Sequence, residues 1–167
     1  LSYLLDVTPG TMTVASGFVV LTGALLMREQ IGWGTLGNIL SIGPWLDLAL
    51  RFVPSVENNL FLQIPMLLAA ILMMGFASAI YIGVNAGAGP RDSLMLGLKR
   101  TTGVSVRVAR TIIEVTVVTI GWLIGGPAGV GTLVFALLIG PAVQWGFKVF
   151  KVEPHQEAKA EPKNTLS

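Results

Sequence analysis

The sequence predicts an all-α fold, a polytopic transmembrane helical bundle, on three observations. Apolar residues make up 53% of the 167 positions and charged residues 12%, about half the roughly 25% charged residues of an ordinary soluble domain. The charges fall in clumps and leave residues 7–27, 30–46, 58–90 and 115–147 with none. One stretch of the first half also recurs in the second. A bilayer imposes the first two features, because a charge at its centre costs several kcal/mol. It also forces backbone polar groups to bond within a helix or a closed barrel. The alternation that barrel strands require is absent here.

With about 17 to 25 residues needed per span, the uncharged stretches resolve into five visible spans, at 11–28, 34–53, 60–86, 105–124 and 131–150. Gly125, Gly126 and Pro127 divide the last two. The first span is not a signal peptide, since no basic segment precedes it and further spans follow. Residues 1–152 form one membrane domain, and 153–167 read as a disordered cytoplasmic tail with little to bury. If each span crosses once, Arg51 is the basic residue of one side. Arg28, Arg91, Lys99, Arg100, Arg107, Arg110, Lys148, Lys151, Lys159 and Lys163 fall on the other. Cytoplasmic loops collect Lys and Arg, so the second side is inside and the C-terminus cytoplasmic, in a bacterial inner membrane. The net charge of +2 is then a matter of topology, and no nucleic-acid partner is expected.

Gly32-Trp33-Gly34-Thr35-Leu36 returns 97 residues later as Gly129-Val130-Gly131-Thr132-Leu133. At the same offset Leu40 meets Leu137, and Ile42-Gly43-Pro44 meets Ile139-Gly140-Pro141, so eight of thirteen positions agree. Three spans separate each element from its copy, and an odd number inverts it. Inverted repeats are a recurring design of secondary transporters. Repeat one occupies 1–57 and is truncated, while repeat two occupies 58–152. The span and turn that open repeat two have no counterpart, and the chain begins without Met. A three-plus-three molecule with a missing first span is therefore expected.

Chemistry-bearing residues are few. With no Cys and a single His, His155, in the charged tail, thiol nucleophiles, disulfides and multi-His metal sites are excluded. No nucleophile–base set is visible, so no enzyme and no cofactor is expected. Asn85-Ala86-Gly87-Ala88-Gly89-Pro90-Arg91-Asp92-Ser93 breaks the third span and opens a short amphipathic helix through Leu94, Met95, Leu96 and Leu98. Such a turn either presents backbone N–H groups and Arg91 to an anion or is a structural re-entrant turn that Asp92 caps. It is not a Walker loop, since no GKS or GKT follows. Glu114 is the acidic residue set well inside an apolar span, and Arg107, Arg110 and Glu114 share a helix face. An intramembrane carboxylate is by default a candidate site. The alternative is an Arg110–Glu114 pair at i,i+4 with both arginines snorkelling to the headgroups. Pro44 and Pro141 each remove a hydrogen bond within a helix, and Thr35 and Thr132 are suited to N-caps. These kinks either frame a midplane site or serve packing. Asp47 and Gln144, at matching positions of the repeat, form a weaker polar pair.

Gly89-Pro90-Arg91-Asp92-Ser93-Leu94, the following Gly103-Val104-Ser105, and the repeated GxGTL and IGP motifs resemble the YczE/YitT-like bacterial integral membrane proteins. The resemblance covers roughly residues 8–150. It implies a multi-pass inner-membrane protein, usually longer at the N-terminus, with no assigned activity and no catalytic residues to transfer. This chain departs from that pattern in lacking the first span and the first GPRD-like turn. Taken together, these readings predict a small secondary-transporter-like permease in the lipid bilayer that takes a small anionic or polar solute. Asn85, Arg91, Asp92, Arg110 and Glu114 would line its site. The rival is a non-transporting membrane partner or assembly protein.

Overall fold

The computed structural model describes residues 7–29, 31–53, 56, 59–84 and 87–153. Among them it forms six helices and no strand: α1 (Pro9–Leu26), α2 (Trp33–Phe52), α3 (Leu60–Gly83), α4 (Pro90–Thr102), α5 (Val106–Leu123) and α6 (Val130–Val149). Helices α1, α3 and α6 are long and apolar enough to cross a membrane. Helix α2, at 20 residues, interrupts its apolar run with Asn38, Asp47 and Arg51, and α5, at 18, carries Arg107, Arg110 and Glu114. Little of the apolar surface lies inside the molecule. Only 11% of the most apolar window of α3 is buried, and Trp33, Trp45 and Trp122 stand exposed. Such a surface suits lipid and its interfaces.

Helix starts follow the local chemistry. Thr8 caps α1 by accepting from the Thr11 N–H, and Ser105 caps α5 by accepting from the Val108 N–H. Gly32 and Gly129, with extended backbones, are the N-caps of α2 and α6. That corrects the assignment of Thr35 and Thr132 as caps, since both sit three positions further on. Thr132 Oγ1 accepts from the Gly129 N–H at 3.4 Å, whereas Thr35 is buried inside the packing. Helices α1 and α5 both have 18 residues and start 97 positions apart; α2 and α6 both have 20 and do the same.

Small residues set the crossings, as expected where lipid offers no hydrophobic drive between helices. At Gly43 an added Cβ would stand 2.7 Å from the Gly10 carbonyl oxygen and 2.5 Å from Val14. At Gly140, one would overlap the Arg107 carbonyl and stand 2.5 Å from Thr111 Oγ1. Both the glycines and the groups they meet lie 97 residues apart. Helices α3 and α6 run alongside each other in the same sense, Gly75 against Ala142 and Ala79 against Gly146. Their apolar core includes Ile71, Ile139, Val143 and Phe147, and extends to Met95 and Ile113.

Helix α4 lies between α1 and α5. Gly87, at φ +113°, lets the chain turn back against Gly32 and Thr35, and Gly103, at φ +72°, ends α4 in the left-handed region. Pro90 sits beside Gly17, Leu94 beside Gly23 and Gly97 beside Met27, so α4 runs in the same sense as α1. Arg91 reaches Glu114 and Asp92 reaches Arg110, so it runs against α5. Gly17 is the ninth residue of α1 and Glu114 the ninth of α5, each of 18. Helix α4 therefore begins level with the middle of both. Thirteen residues later it ends where Arg100 pairs with Glu29, just past α1, at 2.9 Å. At 1.5 Å per residue that is about 20 Å, half of a bilayer plus its interface.

Candidate functional site

Four charges from two helices meet in one buried network. Arg110 Nη1 donates to Asp92 Oδ1 at 2.5 Å and Arg110 Nη2 to Glu114 Oε1 at 3.1 Å. Arg91 Nη1 donates to Glu114 Oε2 at 3.2 Å, and the Ser78 hydroxyl donates to Asp92 Oδ2 at 3.3 Å. Arg110 is 1% exposed, Glu114 2% and Asp92 4%, whereas the Arg91 side chain is 37% exposed. Burial of this kind demands pairing, because an isolated buried ion costs several kcal/mol. Two guanidinium and two carboxylate groups sum to zero charge.

The structure brings Arg91, Asp92, Arg110 and Glu114 together and decides between alternatives that the sequence left open. The Arg110–Glu114 pair forms at i,i+4 as the spacing predicts. Arg110 does not snorkel: it is the largest fully buried side chain among the described residues, held inside by Asp92 and Glu114. Of the three residues expected on one face, Arg107 is exposed and outside the network. Asp92 does not cap α4, whose N-terminus has no side-chain cap; its carboxylate turns to Arg110 and Ser78 instead. Asn85 and His155 lie outside the described residues, as does the tail from residue 154. Ser78 was missed. Its signal was the lone serine of the apolar helix α3, toward its end.

Among the described residues, three buried side-chain polar atoms have no hydrogen-bond partner: Arg110 Nε, Thr35 Oγ1 and Gln144 Oε1. The first belongs to the network. Thr35 Oγ1 faces Gly87, on the turn leading to α4, where a Cβ would stand 2.9 Å from it. At Gly89, the N-cap of α4, a Cβ would stand 3.1 Å from Asn38 Oδ1 and 3.3 Å from the Tyr81 hydroxyl. Polar groups of α2 and α3 thus surround the start of α4. Asp47 is occupied elsewhere, accepting from the Thr8 hydroxyl at 2.6 Å and the Gly10 N–H at 2.7 Å. Pro141 lines a shallow groove of about 260 Å³ with Arg107, Val108, Thr111, Ile112 and Leu137, and none of the four networked charges borders it. Among the described residues no group of three or more His, Asp or Glu side chains could hold a metal ion.

The profile of DUF6198, described as a family of unknown function, matches residues 1–148. The chain is similar to an uncharacterized protein of Haemophilus influenzae, 34% identical over 144 residues, which are 84% of this chain and 66% of that protein. It is also similar to the uncharacterized membrane protein YczE of Bacillus subtilis, 35% identical over 117 residues, 70% of this chain and 54% of that protein. The chain thus spans less than two thirds of the length of either relative. No solved structure matches it.

Proposed function

Because this chain belongs to DUF6198, a family of unknown function with a membrane protein among its relatives, we propose that it is a small permease. In this reading α1, α2, α3, α5 and α6 cross the inner membrane and α4 is a re-entrant half-helix. The two repeats are inverted and the C-terminus is cytoplasmic. The matched bounds of α1 with α5 and of α2 with α6, and the repeated Gly43 and Gly140 crossings, support the duplication. Inversion is supported by α4 running with α1 and against α5.

The observation that carries the reading is the charged network at the start of α4, level with the middle of α1 and α5. Charges there are expensive. Broken helices that bring a positive N-terminal end to the midplane are how transporters hold anionic groups. Arg91, half-exposed, would meet the solute, while Arg110 and Asp92 hold the half-helix to α5.

Uptake of labelled organic anions and polar metabolites into proteoliposomes tests this. Saturable uptake by the native protein, lost in Arg91→Gln while the variant still purifies as a folded species, is expected. Uptake by neither protein for any solute of the panel would overturn the reading. A second reading, a non-transporting membrane partner, is favoured by the exposed Trp45 and Leu50 of α2, whose counterparts Ala142 and Phe147 on α6 are buried. Stoichiometric co-purification of a defined membrane protein, with no flux, would favour it.

A further inference from the structure

Charge balance in the network restricts what it can bind. Arg91 and Arg110 are matched by Asp92 and Glu114, and three of the four side chains are almost wholly buried. Among the described residues no other element supplies it a charge. Helix α1 contains no titratable residue, α2 has Asp47, held by Thr8 and Gly10, and Arg51 in its last turn, α3 contains Tyr81 alone, and α6 has only Lys148, in its last turn. On α5, Arg107 is exposed. A solute anion arriving at Arg91 would leave a net negative charge level with the middle of the bundle, at a cost of several kcal/mol.

The two carboxylates are not equally able to absorb that charge. Asp92 has both oxygens held, one by fully buried Arg110 and the other by Ser78. Glu114 accepts from buried Arg110 at Oε1 alone, at 3.1 Å, while the more exposed Arg91 reaches both its oxygens, at 3.4 and 3.2 Å, and is the sole partner of Oε2. Arg91 is thus the partner that a solute can draw away, and Glu114 the group left short of positive charge. Arg110 Nε, buried and without an acceptor, is a donor of the same guanidinium that a ligand oxygen would satisfy.

Resting on the permease reading of this site, we propose that the network binds one small monovalent anion at Arg91 together with one proton on Glu114. The anion's oxygen, or a halide, accepts from the Arg91 guanidinium. The proton, taken from solvent, forms an O–H bond on Glu114, and the network returns to zero charge. The bound unit is then electrically neutral.

Calorimetric titration of the full chain in lipid nanodiscs with formate, lactate and chloride, in buffers of different ionisation enthalpy, reads the protons taken up per anion. One proton per anion is expected for the native protein, with affinity falling about tenfold per pH unit wherever that proton uptake is measured. Glu114→Gln mimics the protonated state, so it should bind with no proton uptake and no pH dependence. The double variant Arg91→Gln, Glu114→Gln keeps the charge balance, should fold, and should bind nothing. Anion binding without proton uptake in the native protein, a pH dependence that survives Glu114→Gln, or no binding of any of the three ions would overturn the proposal. Proton-linked binding without flux in proteoliposomes would instead remove the permease reading and leave this one standing. Flux without proton uptake would do the reverse.

Discussion

The α1–α2 pair and the α5–α6 pair share helix lengths, cap positions and a glycine crossing, yet one carries the charged network and the other carries none. Where α5 has Arg110 and Glu114, α1 has Thr13 and Gly17, and Gly17 simply lets Pro90 and Ile39 come close. Helix α4 explains the difference. It packs on both pairs, but its charged side, Arg91 and Asp92, faces α5. One geometry therefore serves as a plain scaffold in one half and as a buried electrostatic site in the other.

Removing the charge that holds the two halves of that site together should have the largest effect. Arg110→Ala leaves Asp92 and Glu114 buried side by side without their shared cation, and should cost about 3–5 kcal/mol. The counterpart Thr13→Ala, whose hydroxyl bonds only to the Pro9 carbonyl among its neighbours, should cost less than about 0.5 kcal/mol. Thermal unfolding in detergent compares the two, and equal losses would break the contrast.

The crossings should behave alike. Gly43→Val and Gly140→Val both drive a side chain into the facing backbone, and each should cost about 1–3 kcal/mol by overpacking. A loss confined to one of them in the same unfolding experiment would mean that the two crossings are not equivalent.

The smallest effects concern the pair Asp47 and Gln144. Asp47→Ala removes the carboxylate that receives the Thr8 hydroxyl and the Gly10 N–H at the start of α1, for about 0.5–2 kcal/mol. Gln144→Leu removes a buried oxygen that has no partner and should be neutral or slightly stabilising. Melting curves that rank these two the other way round would show that the Gln144 amide is used.

Spacing between charge clumps located the helices well, because a membrane penalises charge within a span more strongly than any local propensity favours it. The spans expected at 34–53 and 131–150 begin and end within a residue of α2 and α6. The repeat offset was legible because rare residue types, Gly43-Pro44 and Gly140-Pro141, recur in register. Within the site, helical periodicity revealed the Arg110–Glu114 pair, since i,i+4 is a local relation. It could not reveal that Arg91 reaches Glu114 across 23 residues or that Asp92 takes Arg110 across 18. Those contacts depend on α4 folding back between α1 and α5, which no local pattern encodes. The snorkelling alternative fails for the same reason. A long cationic side chain stays inside when a second helix supplies a carboxylate.

These 167 residues contain no cysteine, so a single thiol introduced among them reports its own side of the membrane. Trp33→Cys and Val130→Cys place it at exposed first residues of α2 and α6, the same position in the two repeats. In intact cells an impermeant maleimide should label Val130→Cys directly and Trp33→Cys only after the membrane is opened. Labelling of both from one side would contradict the inverted pairing on which the midplane site depends.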